Sequence, residues 1–169
     1  MAIAGFTIDD FFAEYQDLSR AYLFMIMVTN PAGSSPEKTK YLVQSSSMPP
    51  TTITPIDINW QGTVFPVGST QEFADWTVTF RLDNPGQIRR DFNEWMRRVH
   101  DPVTNIHGSP RDYMHDQEVW KLNPQGNITD RIKLVNAWPT TVGELSLDYG
   151  TKEIHTFDVT FRYLYHVPA

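Results

Sequence analysis

Along residues 73–84, "FADWTVTFRLDN", apolar and polar side chains alternate. Trp76, Val78, Phe80 and Leu82 fall on one side and Asp75, Thr77, Thr79 and Arg81 on the other, the period of two expected of a half-buried strand. The stretch "EIHTFDVTFRYLYHV" near the carboxyl end repeats the pattern. There Phe157, Val159, Phe161, Tyr163 and Tyr165 are expected on one face, and Thr156, Asp158, Thr160 and Arg162 on the other. Between these segments the period changes. Ile88, Phe92, Trp95, Met96 and Val99 recur at helical spacing opposite Arg89, Arg90, Asn93 and Arg97, which predicts a packed helix over about 85–99. "NPGQ" supplies its start, with Asn84 as N-cap, Pro85 at the first helical position and Gln87 three residues after the cap. Asp101-Pro102 supplies its stop.

The remaining elements follow from the same reading. Ile8, Phe11, Phe12, Tyr15 and Leu18 predict an amino-terminal helix over about 7–19, with Thr7 as its cap. "RAYLFMIMVTN" reads as a strand apolar on both faces, "PAGSSPEKTK" (31–40) as a loop and "YLVQSS" as the returning strand. Residues 47–70 hold prolines at 49, 50, 55 and 66, yet Ile56, Ile58 and Trp60 still alternate and Gln61-Gly62 suits a hairpin turn. This stretch predicts an extended arm, with Ile56, Ile58, Trp60, Phe65 and Phe73 as its candidate contacts to a partner. Residues 101–116 read as loop, with Tyr113 as the alternative start of a strand, and "EVWKL" and "ITDRIKLVNAW" as a hairpin turning at "NPQGN". In "AWPTTVGELSLDYG", Trp138-Pro139 is expected to end a strand and Gly143 to permit a bend. Leu145, Leu147 and Tyr149 are then expected to carry the chain back into the core. The sum is one domain over 1–169, mainly antiparallel β with a flanking helix: a β-sandwich or half-barrel.

Composition removes several functions. The chain has no cysteine, which excludes disulfides, thiol catalysis and thiolate zinc sites. Its net charge of −6 argues against nonspecific nucleic-acid binding. The amino terminus lacks a basic n-region, and the longest apolar run, Ala21–Val28, falls far short of the ~20 residues of a membrane helix. A soluble protein without a membrane anchor, made inside a cell, is the expectation.

The search for reactive groups finds little. On one strand face Glu144 and Asp148 would stand about 13 Å apart, beyond the ~5–9.5 Å of a glycosidase pair. His100, His107, His115, His155 and His166 show no helical i, i+4 pair for a metal. Ser45-Ser46-Ser47 lacks a nucleophile elbow, and no phosphate-binding glycine loop is present. No enzyme activity, cofactor or metal is expected. The abundant aromatics belong to predicted core faces, although a carbohydrate-binding β-sandwich is a remote alternative. The polar faces Thr77/Thr79/Arg81 and Thr156/Asp158/Thr160/Arg162 are either plain solvent-exposed surface or a wet channel wall.

The order of these elements resembles the tail tube proteins of contractile-tailed bacteriophages, whose fold is similar to the haemolysin-coregulated tube protein of type VI secretion. "FADWTVTFRLDN" with its helix to Trp95, "AWPTTVGELSLDYGTKEIHTFDVTFRYLYH" and "YLVQSSSMPP" carry the resemblance over about 20–166. It implies six subunits per ring, inner sheets joined into a continuous β-barrel, and rings stacked into a hollow tube that conducts DNA during ejection without binding it specifically. Implied partners are a sheath, a tape-measure protein, a baseplate and a tail terminator. The implied location is the virion tail, after assembly in the host cytoplasm. Thr77, Thr79, Arg81, Thr156, Asp158, Thr160 and Arg162 become candidate lumen residues, and the arm the candidate ring-stacking element. Trp138, Pro139, Gly143 and Glu144 become a candidate corner that neighbouring subunits fit. The tube of a type VI or extracellular contractile injection system is the alternative. At −6 per subunit, an acidic wall that repels DNA phosphates is expected.

Overall fold

Described in the computed structural model are Ile8, residues 19–33 and residues 35–169. The helix expected over 7–19, with its cap Thr7, lies outside the described residues apart from Ile8 and Ser19. From there the chain runs through β1 (Phe24–Met27), helix α1 (Pro36–Leu42), β2 (Val43–Ser46), the long pair β3 (Thr51–Trp60) and β4 (Thr63–Phe73), and β5 (Trp76–Arg81). Helix α2 (Gln87–Val99) follows, then β6 (His100–Asp101), β7 (Ile106–His107), helix α3 (Pro110–Tyr113), β8 (His115–Leu122), β9 (Ile128–Val142), β10 (Thr156–Arg162) and β11 (Tyr165–Pro168).

Seven strands form one curled antiparallel sheet in the order β1-β8-β9-β10-β5-β2, with β11 also paired to β9. The curl is built into β9. Its first half pairs with β8 and β11, its second half with β10. Two irregularities bend it between these duties. At the first, β9 carries an extra residue between Leu134 and Ala137; Asn136 takes a positive φ of 54° and donates its N–H to the Asp116 carboxylate at 3.0 Å. At the second, the register slips opposite Thr160/Phe161, where Pro139 faces Phe161. A proline is tolerated at such a slip because the ladder is already broken there. Trp138-Pro139 therefore does not end the strand, which runs on to Val142.

The core lies inside the curl. Trp76, Val78 and Phe80 on β5 and Phe157, Val159 and Phe161 on β10 are buried across the ladder from one another, as their alternation requires. Helix α2 covers them with Ile88, Phe92 and Trp95, and Phe92 meets Phe80, Phe157 and Phe161 at ring separations of 5.0, 6.2 and 6.1 Å. The Trp95 indole N–H donates to the Tyr113 carbonyl at 2.7 Å, so the buried ring leaves no polar atom unpaired. The start of α2 differs from expectation. Gly86, with φ 64°, stands at the N-cap without a side-chain bond, and the Asp83 carboxylate accepts the Ile88 N–H at 3.2 Å instead. Asn84 and Pro85 lie in the preceding turn because the left-handed glycine re-aims the chain after them.

Three further expectations are corrected. Residues 36–42 are helical, not loop: Ser35 caps the helix by accepting from the Lys38 N–H at 3.3 Å and Pro36 opens it. The buried Thr39 hydroxyl, within reach of the Val28 carbonyl at 3.2 Å, ties α1 to the end of β1. Residues 143–155 form no strand; Leu147 and Tyr149 are fully exposed and only Leu145 is half-buried. Asp148 spends its carboxylate on its own turn, accepting from Gly150 N–H at 2.9 Å and the Thr151 hydroxyl at 3.0 Å, so it shares no strand face with Glu144. Finally, the alternation of the last segment breaks after Tyr163. Tyr163 is buried but Tyr165 is exposed on β11, because the chain turns to reach the other half of β9. The result is a mainly β half-barrel with a flanking helix.

Candidate functional site

The candidate lumen residues meet on one surface. Across the β5–β10 ladder Thr77 stands opposite Thr160, Thr79 opposite Asp158 and Arg81 opposite Thr156, so all six share the face turned away from the core. Thr77 and Thr160 hydroxyls lie 3.2 Å apart, and the Thr79 hydroxyl donates to Asp158 at 2.6 Å. Arg162 continues the row, its guanidinium 3.6 Å from the Asp75 carboxylate at an exposed position. The sheet adds two residues not foreseen from sequence, Ser45 of β2 beside Thr79 and Thr141 of β9 beside Thr160. Their short segments show no long alternation, so only the pairing reveals them. The acidic wall expected from net charge is not what these residues form. Asp75 and Asp158 are matched by Arg81 and Arg162, and the face is a balanced, hydroxyl-rich surface.

The arm is a two-stranded ribbon, β3 against β4, turning at Gln61-Gly62 with φ of 47° and 83°. Every residue of β3 is exposed. Cross-strand pairs Ile56/Val67, Ile58/Phe65 and Trp60/Thr63 put one apolar face on the ribbon, while Asp57/Pro66 and Asn59/Val64 occupy the other. Trp60 is 71% and Phe65 64% accessible. Val67 joins the group by the same alternation, a signal present in the sequence but not used. Phe73 does not belong to it. It is half-buried at the root of the arm, packed edge-on to His166 with ring centres 5.1 Å apart.

The corner residues make these contacts within the chain. Trp138 stands edge-on to Tyr113 at 5.8 Å and Pro139 is buried against the core. Gly143 is there for a close approach, not a bend. Its N–H donates to the Asp158 carbonyl at 2.6 Å, and a Cβ would sit 2.9 Å from that same oxygen. Arg89 of α2 donates to the Gly143 carbonyl at 3.3 Å, pinning the end of β9 to helix and strand together. Glu144 is exposed. Among the histidines, His100 and His107 stack at 4.3 Å on the β6–β7 hairpin and His115 packs on Trp95. Among the described residues no three histidine or carboxylate groups converge on a metal position.

Three strand edges of the main sheet stay open among the described residues, one of them on β11, which pairs only with β9. The others are β1, which pairs only with β8, and β2, which pairs only with β5, and an apolar cleft of about 170 Å³ lined by Phe24, Ile26, Met48 and Val119 lies between β1 and β2. An apolar ribbon, a polar sheet face and unpaired strand edges are together the features of a subunit. A family model described as phage tail tube protein matches residues 18–169. The chain belongs to this family. It is 27% identical over 150 residues to the tail tube protein gp19 of Enterobacteria phage T4, covering 87% of this chain and 90% of that protein. In fold, the tail tube chain is similar to the tube-terminating cap of the anti-feeding prophage, with a TM-score of 0.68 at 17% identity over 100% of this chain and 99% of the other. It is likewise similar to the sheath/tube terminator of the PVC extracellular contractile injection system, with a TM-score of 0.70 at 15% identity over 91% and 98%. Tail tube proteins are structural components of the phage tail. No helix among the described residues is long and apolar enough to cross a membrane.

Proposed function

We propose that this tail tube protein polymerises as six-membered rings stacked into a hollow conduit through which DNA leaves the virion. The apolar face of the β3–β4 arm carries the reading. A two-stranded ribbon is marginal by itself in water, and this one leaves Ile56, Ile58, Trp60 and Phe65 exposed, an arrangement that asks for a second surface. In the proposal that surface belongs to a subunit of the next ring. The open edges β1 and β2 meet neighbours within a ring, which removes the hazard of unpaired strands and joins the sheets into one barrel. The Thr77/Asp158/Thr160 face then lines the lumen, where hydroxyls and charges balanced in number give phosphates no net cationic hold. Sheath, baseplate, terminator and tape-measure proteins are the partners of such a tube, with assembly in the host cytoplasm. The same surfaces would serve an extracellular contractile injection system, to whose terminator the fold is similar. Negative-stain electron microscopy of the purified protein tests the proposal: rings or tubes with a central hole are expected, and a protein monomeric at every concentration would overturn it.

A further inference from the structure

The arm reaches the body through a small cluster at its root. Thr51, the first residue of β3, places its hydroxyl 2.9 Å from Nε2 of His166 on β11. Phe73, the last residue of β4, packs edge-on against the same imidazole at 5.1 Å and against Tyr163 at 6.0 Å, and Tyr163 and His166 lie 5.9 Å apart. Both strands of the ribbon thus end on one side chain of the carboxyl-terminal strand. Two polar atoms there, the Tyr163 hydroxyl and His166 Nδ1, are buried without a hydrogen-bond partner. Phenylalanine at either position would avoid that cost, so simple packing does not account for these residue types.

We propose that Thr51, Phe73, Tyr163 and His166 form a joint that sets the angle of the arm in the unassembled subunit, with His166 as its central positioning residue. The inference rests on the proposed stacking role of the arm. A ribbon already held at its docking angle loses little orientational freedom when it meets a neighbour, whereas a freely swinging one must be ordered at that moment. Two contacts from one imidazole, a hydrogen bond to β3 and a ring contact to β4, fix both the tilt and the roll of the ribbon.

Because the chain has no cysteine, two can be introduced cleanly, at Gln61 on the arm tip and Gln125 on the β8–β9 turn, and spin-labelled. Electron–electron resonance on dilute, unassembled subunits is expected to give one narrow distance. His166→Ala is expected to lose it to a broad distribution while the melting temperature of the body stays put, and His166→Gln, which can still bond Thr51, to recover much of it. Thr51→Val, which keeps the shape and loses the bond, serves if His166→Ala fails to fold. A distribution equally broad in the wild type, or unaltered in the substituted proteins, would overturn the joint. The measurement precedes polymerisation, so its failure leaves the tube reading standing, and a protein that never forms tubes leaves the joint standing.

Discussion

Gly143 shows how one residue can be decisive without any unusual backbone angle. It lets the end of β9 lie against β10 closely enough for its N–H to reach the Asp158 carbonyl, and any Cβ would press into that oxygen. Gly143→Ala is expected to destabilise the fold by about 1–3 kcal/mol, the usual cost of overpacking a site that cannot give; urea unfolding measures it. Glu118 is a second such residue. Arg131 bonds it through both oxygens at 2.8 and 2.9 Å and the Trp120 indole adds a bond at 2.9 Å. The Arg131 bond, against the opposing effect of burial, holds its carboxyl below the ordinary glutamate range. A depressed folded-state value means the contribution is complete above that range and disappears as pH falls through the lowered value. Glu118→Gln is therefore expected to lower stability near neutrality and to flatten the acid limb of a stability–pH curve; an unchanged limb would show the pair contributes nothing.

At the scale of elements, the arm and the body divide the labour. The body buries a continuous aromatic core under α2, while the ribbon contributes none of the fully buried side chains. Replacing residues 53–71 by a short turn, keeping Thr51 and Phe73, is expected to leave thermal melting of the body nearly unaltered. Long tubes should then be absent from micrographs, and tubes of normal length would remove the arm from ring stacking. Pro55 and Pro66 suit this division. Each removes a backbone donor from a ribbon whose outer edges are otherwise free, which discourages uncontrolled strand addition without touching the apolar face.

For the molecule as a whole, the question is how an acidic chain would line the lumen of the proposed tube. Net charge is a sum over all surfaces, and the β5–β10 face balances Asp75 and Asp158 against Arg81 and Arg162. In the proposed tube, Asp158→Lys repeats around every ring and turns that balance into a cationic band, which phosphates bind through counterion release. Normal tubes but slowed genome delivery are expected, with the delay relieved by salt. A dye-release assay of ejection rate checks this, and delivery at the wild-type rate would take Asp158 off the lumen wall.

The strands β5 and β10, the stripe of α2 and the alternating face of the arm were all legible in the sequence, because each depends on a local period of side chains along one element. Helix α1 was nearly so, since Ser35-Pro36-Glu37 is a start signal that the surrounding glycine and serines obscured. The resemblance to tail tube proteins was legible as well. What the sequence could not show is where separate elements meet. The bulges at Asn136 and opposite Thr160 decide which half of β9 each strand takes, and with it the exposure of Tyr165 and the buried place of Pro139. Thr51 and His166 are 115 residues apart, and only the folded sheet brings them within hydrogen-bond reach. Periodicity is a property of one segment; register and convergence belong to pairs of segments, and only the tertiary structure decides them.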